Sequence, residues 1–401
     1  MIWLYASLIA AAPLYIWRFE LVGLPTNFFM VYAFAVALVG GLTIVFRGQT
    51  KLAWQVSKEL PAVLKWSVLA FYLATVISLF VGGLDLPKLA QWLVLYALPI
   101  KLAGQFYFFL QQQSDKKAVV LGIIYAFLFG SGIAALAQYF WLIGLPQDWW
   151  GNSNEPKRAI GFFVHPNNLA LFITPLLAYS VPDLKLRLEK WWNFGKPIWS
   201  QNFLIACAWL GGAVALLLSL SRGGWLGMVA SSAIFVFWAG NKRLRLIALA
   251  LAVIIILTVA AVPNLRYRVI LPFYGEKSSV ARLSLWDTGS KMIKDSPILG
   301  QGINGFNYNW DKFNIDPNLD HYNFPHNFIL NTWIDLGLLG LLSWLTITGW
   351  AIWYGFRNRA KPYAFGLLLF MIALLAHGLI DIPYFKNDLA MIYWLVIALA
   401  L

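Results

Sequence analysis

His326, Arg222 and Arg282 are the residues whose types and positions could do chemistry in this chain. His326 and Asn327 close a mostly polar stretch that begins near Asn264, long enough to be read as a functional loop. After them come nine residues, Gly337, two residues and Gly340, as the chain turns hydrophobic again. An imidazole with an ordinary pKa of about 6.5 can take a proton from an attacking hydroxyl near neutrality. The plainer role is structural, with Asn327 capping the helix that follows, and spacing leaves both open. Arg222 sits between Leu220 and Trp225 where one apolar run ends and another begins. Burying Arg in a bilayer costs roughly 2.5–3.5 kcal/mol at a helix centre and less near the edge, and its planar fork suits phosphate or carboxylate. Gly223 and Gly224 are expected to turn the chain and bring amides towards the same anion. The alternative is an arginine snorkelling to lipid phosphate. Arg282 lies in a segment where Leu283, Trp286, Ser290 and Ile293 recur at helical spacing, which predicts an amphipathic helix at the membrane surface. On that helix Arg282 could equally be a solvated charge.

The elements that must position these residues follow from composition. The chain is 60% hydrophobic and 12% charged, with a mean hydropathy of +0.68, which excludes a soluble globule. Its net charge of +13 sits mainly in short loops, so it is read as a topology signal and not as a nucleic-acid surface. A single Cys207 rules out an internal disulfide and a Cys-based metal site. The run from Ile2 to Trp17 lacks the features of a signal peptide and is read as the first span. Runs of roughly 20 apolar residues give about twelve spans, at 2–17, 27–46, 61–82, 89–110, 118–144, 166–182, 203–220, 223–239, 244–262, 328–356, 363–380 and 388–401. In lipid these must be helices. The predicted fold is an all-α polytopic membrane protein, one integral membrane domain over 1–401 with a large outer loop at 263–327 containing short helices.

Alternate loops are rich in Lys and Arg, for example Arg47, Lys51 and Lys58, or Arg357, Arg359 and Lys361, and are expected to face the cytoplasm. The opposite loops hold Arg18, Lys88 and Lys386 nearly alone. The long loop, the Ser221–Gly224 hairpin and the stretch from Glu155 through Arg158 to His165 then share the outer face. Basic residues placed against this bias point to anion binding. His165, before Pro166, Asn167 and Asn168, has the spacing of a helix cap. His377 and Asp381 are four apart and are expected to share a helical face and bond each other. Asp316, Asp320 and His321 could gather a cation, although such residues more often form solvated turns. The stretch Gly300-Gln301-Gly302-Ile303-Asn304-Gly305 matches a dinucleotide fingerprint, but with no strand before it it is read as a flexible turn.

Several of these elements resemble one family. Ser221-Arg222-Gly223-Gly224-Trp225, Arg282 to Trp286, Asp295 to Gly300, and His326-Asn327 with Gly337 and Gly340 are similar to the O-antigen ligase and polymerase superfamily. The resemblance covers about His165 to Asp381. It implies a metal-independent, inverting glycosyltransferase of the bacterial cytoplasmic membrane, without cofactor, acting on the outer face. It would move a glycan from undecaprenyl pyrophosphate to an acceptor glycolipid, glycan or protein. It further implies that Arg222 and Arg282 hold the pyrophosphate and His326 activates the acceptor hydroxyl, with Arg158, His165, Asn168, Asn327, His377 and Asp381 binding substrate. A polysaccharide-repeat polymerase is the nearest alternative. From another class, a small-anion carrier of the bicarbonate kind would need coupling groups near the midplane, where Lys101 is the plain candidate. A non-catalytic assembly protein would tolerate loss of His326 and Arg222.

Overall fold

The computed structural model describes residues 1–401 except 22–23, 153–155, 194–200, 240–241, 262–265, 267–276 and 315–318. Each predicted apolar run is helical, because a chain of mostly apolar side chains satisfies its backbone within the segment. In order the helices are α1 (Ile2–Ala11), α2 (Phe28–Phe46), α3 (Thr50–Lys58), α4 (Ala62–Phe80), α5 (Leu86–Trp92), α6 (Leu98–Gln112), α7 (Lys117–Trp141), α8 (Pro166–Asn193), α9 (Gln201–Leu218), α10 (Arg222–Ala239) and α11 (Lys242–Ala261). There follow α12 (Lys277–Asp295), α13 (Gly305–Tyr308), α14 (Trp310–Phe313), α15 (Phe328–Arg357), α16 (Pro362–Gly378) and α17 (Asn387–Ala400). Among the described residues seven helices are long and apolar enough to cross a membrane, and three shorter apolar ones lie at Ile2–Ile16, Pro362–Gly378 and Asp388–Ala400. The protein is therefore a helical integral membrane protein, while the expected count of about twelve spans is met by length and hydropathy only in part.

One exception to helix is a hairpin that the sequence reading did not foresee. β1 (Arg18–Leu21) pairs antiparallel with β2 (Leu24–Asn27), Arg18 opposite Asn27. It sits in the connection before α2, where Asn27 caps the helix by accepting from the Met30 amide at 2.9 Å.

The predicted span 328–356 is not one straight helix. Gly337 has φ 67° and ψ −169°, a non-helical conformation in the middle of α15. Phe328 and Trp344 lie on opposite sides of it, yet their rings stand 5.2 Å apart. An unbroken helix would hold these residues about 24 Å apart, so the first nine residues fold back over the span that follows. The break frees the Ile334 carbonyl and the Leu338 amide, and both are satisfied by one loop. Gln301 donates its amide to the Ile334 carbonyl at 2.6 Å, and Leu338 donates to the Ile298 carbonyl at 3.0 Å. That loop is the glycine-rich stretch read above as a flexible turn. It is instead a plug seated in the broken helix, and Gly300 (φ 74°) is required because a Cβ there would lie 2.6 Å from the Ile334 carbonyl oxygen.

Helix α12 departs from expectation in part of its face, since Trp286 and Ile293 of the expected stripe are partly buried against its core but Leu283 is not. The buried stripe is Leu285, Thr288, Gly289 and Met292, packed with Phe306, Trp310 and Ile334. Leu283 is 63% exposed. Gly289 lets the helix approach Ile334 closely. Burying Leu285 and Met292 contributes roughly 1.5–3 kcal/mol each, which outweighs the weaker hydrophobicity of Thr288 and Gly289.

Candidate functional site

The polar segments singled out in the sequence meet at one end of the bundle, around the short connection between α16 and α17. Asp381, buried in that connection, faces Nδ1 of His326 at 3.2 Å, with side-chain exposures of 5% and 30%. Two residues away, Asn327 donates its Nδ2 to the Leu379 carbonyl at 3.1 Å. Arg282, reaching over from α12, donates Nε to the Ile380 carbonyl at 3.1 Å. Three consecutive residues, Leu379, Ile380 and Asp381, therefore hold three of the predicted site residues. Burial opposes ionisation of Asp381, but its hydrogen bond to His326 and the nearby charge of Lys386 keep the carboxyl well below the ordinary carboxylate range.

Asn327 is a cap, as the plainer reading of the sequence had it. Its Oδ1 accepts from the amides of Ile329 and Leu330 at 3.0 and 3.1 Å. His326 is not part of that cap. Its backbone lies in the left-handed region, φ 48°, a strained conformation for a residue with a Cβ. It also packs edge-on to Tyr322 at 5.9 Å.

Arg222 opens α10, one residue from this cluster. Ser221 caps the helix, its hydroxyl receiving the Gly224 amide at 3.5 Å. The turn is not made by the glycines, contrary to expectation. Leu220 carries the positive φ, 50°, while Gly223 and Gly224 are ordinary helical residues. Their role is close approach, since a Cβ on Gly223 would stand 2.6 Å from His377 Nε2, and one on Gly224 2.7 Å from Leu216 Cδ1. Gly223 also lies against Ile380, which ties the start of α10 to the residue that anchors Arg282. His377 and Asp381 do not share a helical face as predicted, because α16 ends at Gly378 and Asp381 turns to His326.

Arg158 is held on the other side of the α9–α10 turn. Its Nε donates to the Ser219 carbonyl at 2.9 Å and its Nη2 to Asn167 Oδ1 at 3.0 Å, and the guanidinium lies over Trp149. His165 caps α8, its Nδ1 accepting the Asn167 amide at 3.0 Å. Burial, then the charges of Arg158 and Lys386, push its pKa down to about 4. Asn168 donates to Tyr15 at 3.1 Å and accepts from Lys386. Lys386 and Tyr15 were missed as site residues. The signal for Lys386 was present, since it is one of the few cations set against the charge bias of the loops. His321 lies apart, bonded to Asn307 and stacked on Trp310, and Asp316 falls outside the described residues.

An integral membrane protein of bundled helices, with arginines and a histidine–carboxylate pair gathered at one end of the bundle, is the class that this architecture defines. Residues 206–345 match the family model described as O-antigen ligase, a stretch that includes Arg222, Arg282, His326, Gly337 and Gly340. A Pseudomonas aeruginosa protein named O-antigen ligase is 28% identical over 252 residues, 63% of this chain and 55% of that protein. An uncharacterized protein of Haemophilus influenzae is 24% identical over 179 residues, 37% of this chain and 44% of the relative. These matches support membership of the O-antigen ligase superfamily. The chain spans about half the length of the curated relatives it matches.

Proposed function

We propose that the protein is a membrane glycosyltransferase that moves a glycan from an undecaprenyl-pyrophosphate-linked donor to an acceptor hydroxyl on the outer face of the cytoplasmic membrane. The observation that carries this reading is the His326–Asp381 pair, set on the same connection that anchors Arg282. An ionised Asp381 accepts from Nδ1 of a neutral His326 and leaves Nε2 to take the acceptor's proton. The acceptor oxygen attacks the anomeric carbon, the bond from that carbon to the pyrophosphate oxygen breaks, and the electron pair leaves on the pyrophosphate. A single displacement inverts the anomeric centre. Arg222 and Arg282 neutralise the charge that develops on the leaving group, the type of stabilisation worth most where water is excluded. Arg158, Lys386 and Asn168 extend the polar rim towards the α8 cap, where the glycan or acceptor head group would lie.

The carrier reading has less support. Lys101, its midplane candidate, is exposed on the outside of α6 and does not face the bundle interior. The deciding experiment is transfer by purified protein in detergent from a pyrophosphate-linked glycan, with EDTA present. Native protein should remain active, and His326→Ala and Arg222→Ala should each lose about 10²–10⁴-fold. Full activity in both variants would remove these residues from the mechanism, and loss of native activity in chelator would remove metal independence.

A further inference from the structure

A second group of cations lies at the opposite end of the same helices. α16 begins at Pro362 and ends at Gly378 beside Phe328, a rise of about 24 Å, and α8 runs antiparallel to it, from the His165 cap past Lys185. Between these far ends and α10 opens a cleft of about 550 Å³, rimmed by Lys185, Arg357 and Arg359 and walled by Phe235, Trp238 and Phe365. Its charge is poorly compensated. Lys185 pairs with Glu189 at 3.2 Å, but among the described residues neither arginine forms an ion pair with a carboxylate. The undescribed segments 194–200 and 240–241 contain no Asp or Glu. Arg359 is instead spread over aromatic rings, 5.2 Å from Trp238 and 4.9 Å from Phe356, which fixes its guanidinium at the rim.

We propose that this cleft binds an anionic phospholipid of the leaflet opposite the His326 site, with its phosphate between Arg357, Arg359 and Lys185 and an acyl chain along Phe235, Trp238 and Phe365. The aromatic wall selects a lipid over a soluble phosphate. Trp238 is 41% exposed and its neighbour Phe237 62%, so the wall runs out onto the apolar surface of the bundle, where only a chain can cover it. Basic pockets between membrane helices recognise anionic head groups in this way. The bound lipid would brace α8, α10, α16 and the long arm of α15, whose other ends carry His165, Arg222, His377 and the Gly337 break. The site does not depend on the transferase reading, and its test needs no turnover.

The experiment is equilibrium binding of phosphatidylglycerol to the full chain purified in detergent, with phosphatidylcholine and glycerol 3-phosphate as comparison probes. Phosphatidylglycerol should bind in preference to phosphatidylcholine, and glycerol 3-phosphate should not displace it. Arg357→Gln with Arg359→Gln should weaken binding roughly thirtyfold, whereas Arg357→Lys with Arg359→Lys should retain most of it. Ala360→Trp, which fills the cleft from an exposed lining position without removing charge, should weaken it as well. Lys291→Gln on α12 should change nothing. Equal binding of phosphatidylcholine, displacement by glycerol 3-phosphate, or undiminished affinity in the double Gln variant or in Ala360→Trp would each overturn the proposal.

Discussion

The turn into α10 and the break in α15 look alike in sequence, each setting a residue with chemistry ahead of a pair of glycines, but they are built on different physics. At α10 the glycines are helical and their lack of a side chain makes room for neighbours, His377 against Gly223 and Leu216 against Gly224. The left-handed residue there is Leu220. At α15 Gly337 is itself left-handed, and its neighbours are backbone, the carbonyls of Ile298 and Leu299. A side-chain neighbour can yield and a backbone neighbour can do so only with its whole segment, so the two regions should differ in tolerance.

Gly337→Ala should therefore have the largest effect. It combines a positive φ with a Cβ 2.8 Å from the Leu299 oxygen, and the expected loss is about 4 kcal/mol or failure to fold, read by thermal unfolding in detergent. A mild loss would break the contrast. Next is Asp381→Asn, which preserves shape but removes the charge facing His326. Transfer should fall roughly 100-fold with little change in unfolding temperature, and a large drop in stability would make the pair structural. Gly223→Ala should cost about 1–3 kcal/mol by overpacking and much less in a His377→Ala background. Strictly additive losses would show that His377 is not what Gly223 accommodates. Leu220→Gly should be neutral or stabilising by up to about 1 kcal/mol, since it relieves a left-handed leucine.

A smaller effect is expected from pH. His165 has its folded pKa pushed down to about 4, below its ordinary value of about 6.5, so between those values the unfolded chain binds more protons. Stability should rise with pH across that window, be fully present above it, and decline as pH falls through it. Unfolding midpoints measured from pH 4 to 7 should show a slope of a few degrees that His165→Gln flattens. An unchanged slope in that variant would assign the pH dependence elsewhere.

What could be read from the sequence was what depends on side-chain type over long windows. The apolar runs fixed where helices lie, and charge placed against the loop bias pointed to Arg158, Arg222 and Lys386, even though Lys386 was passed over. The His326-Asn327 spacing marked a helix start, and of the two roles it left open for Asn327 the cap is the one the structure shows. What escaped was what depends on main-chain partners. Leu379 and Ile380 have no side-chain chemistry to announce them, yet their carbonyls hold Asn327 and Arg282. The face of α12 was only partly read, because its most buried positions include Thr288 and Gly289, which hydrophobicity ranks low, while Leu283 faces out. The glycine-rich loop was misjudged because its purpose lies in a hydrogen bond missing from α15, more than thirty residues away.

The fold at Gly337 also has a mechanical consequence. The nine residues from Phe328 to Leu336 form an arm of about 13 Å, joined to the span at Gly337 and carrying His326 just beyond its tip. Phe328 fixes the tip, clasped between Trp344 and Gly378, while the plug of residues 298–301 fixes the joint. A swing of ten degrees would move the tip by about 2 Å, enough to part His326 from Asp381. On the proposed mechanism the arm would tie the His326–Asp381 distance to small strains in the membrane-embedded helices, and its two clamps hold the imidazole beside the carboxylate.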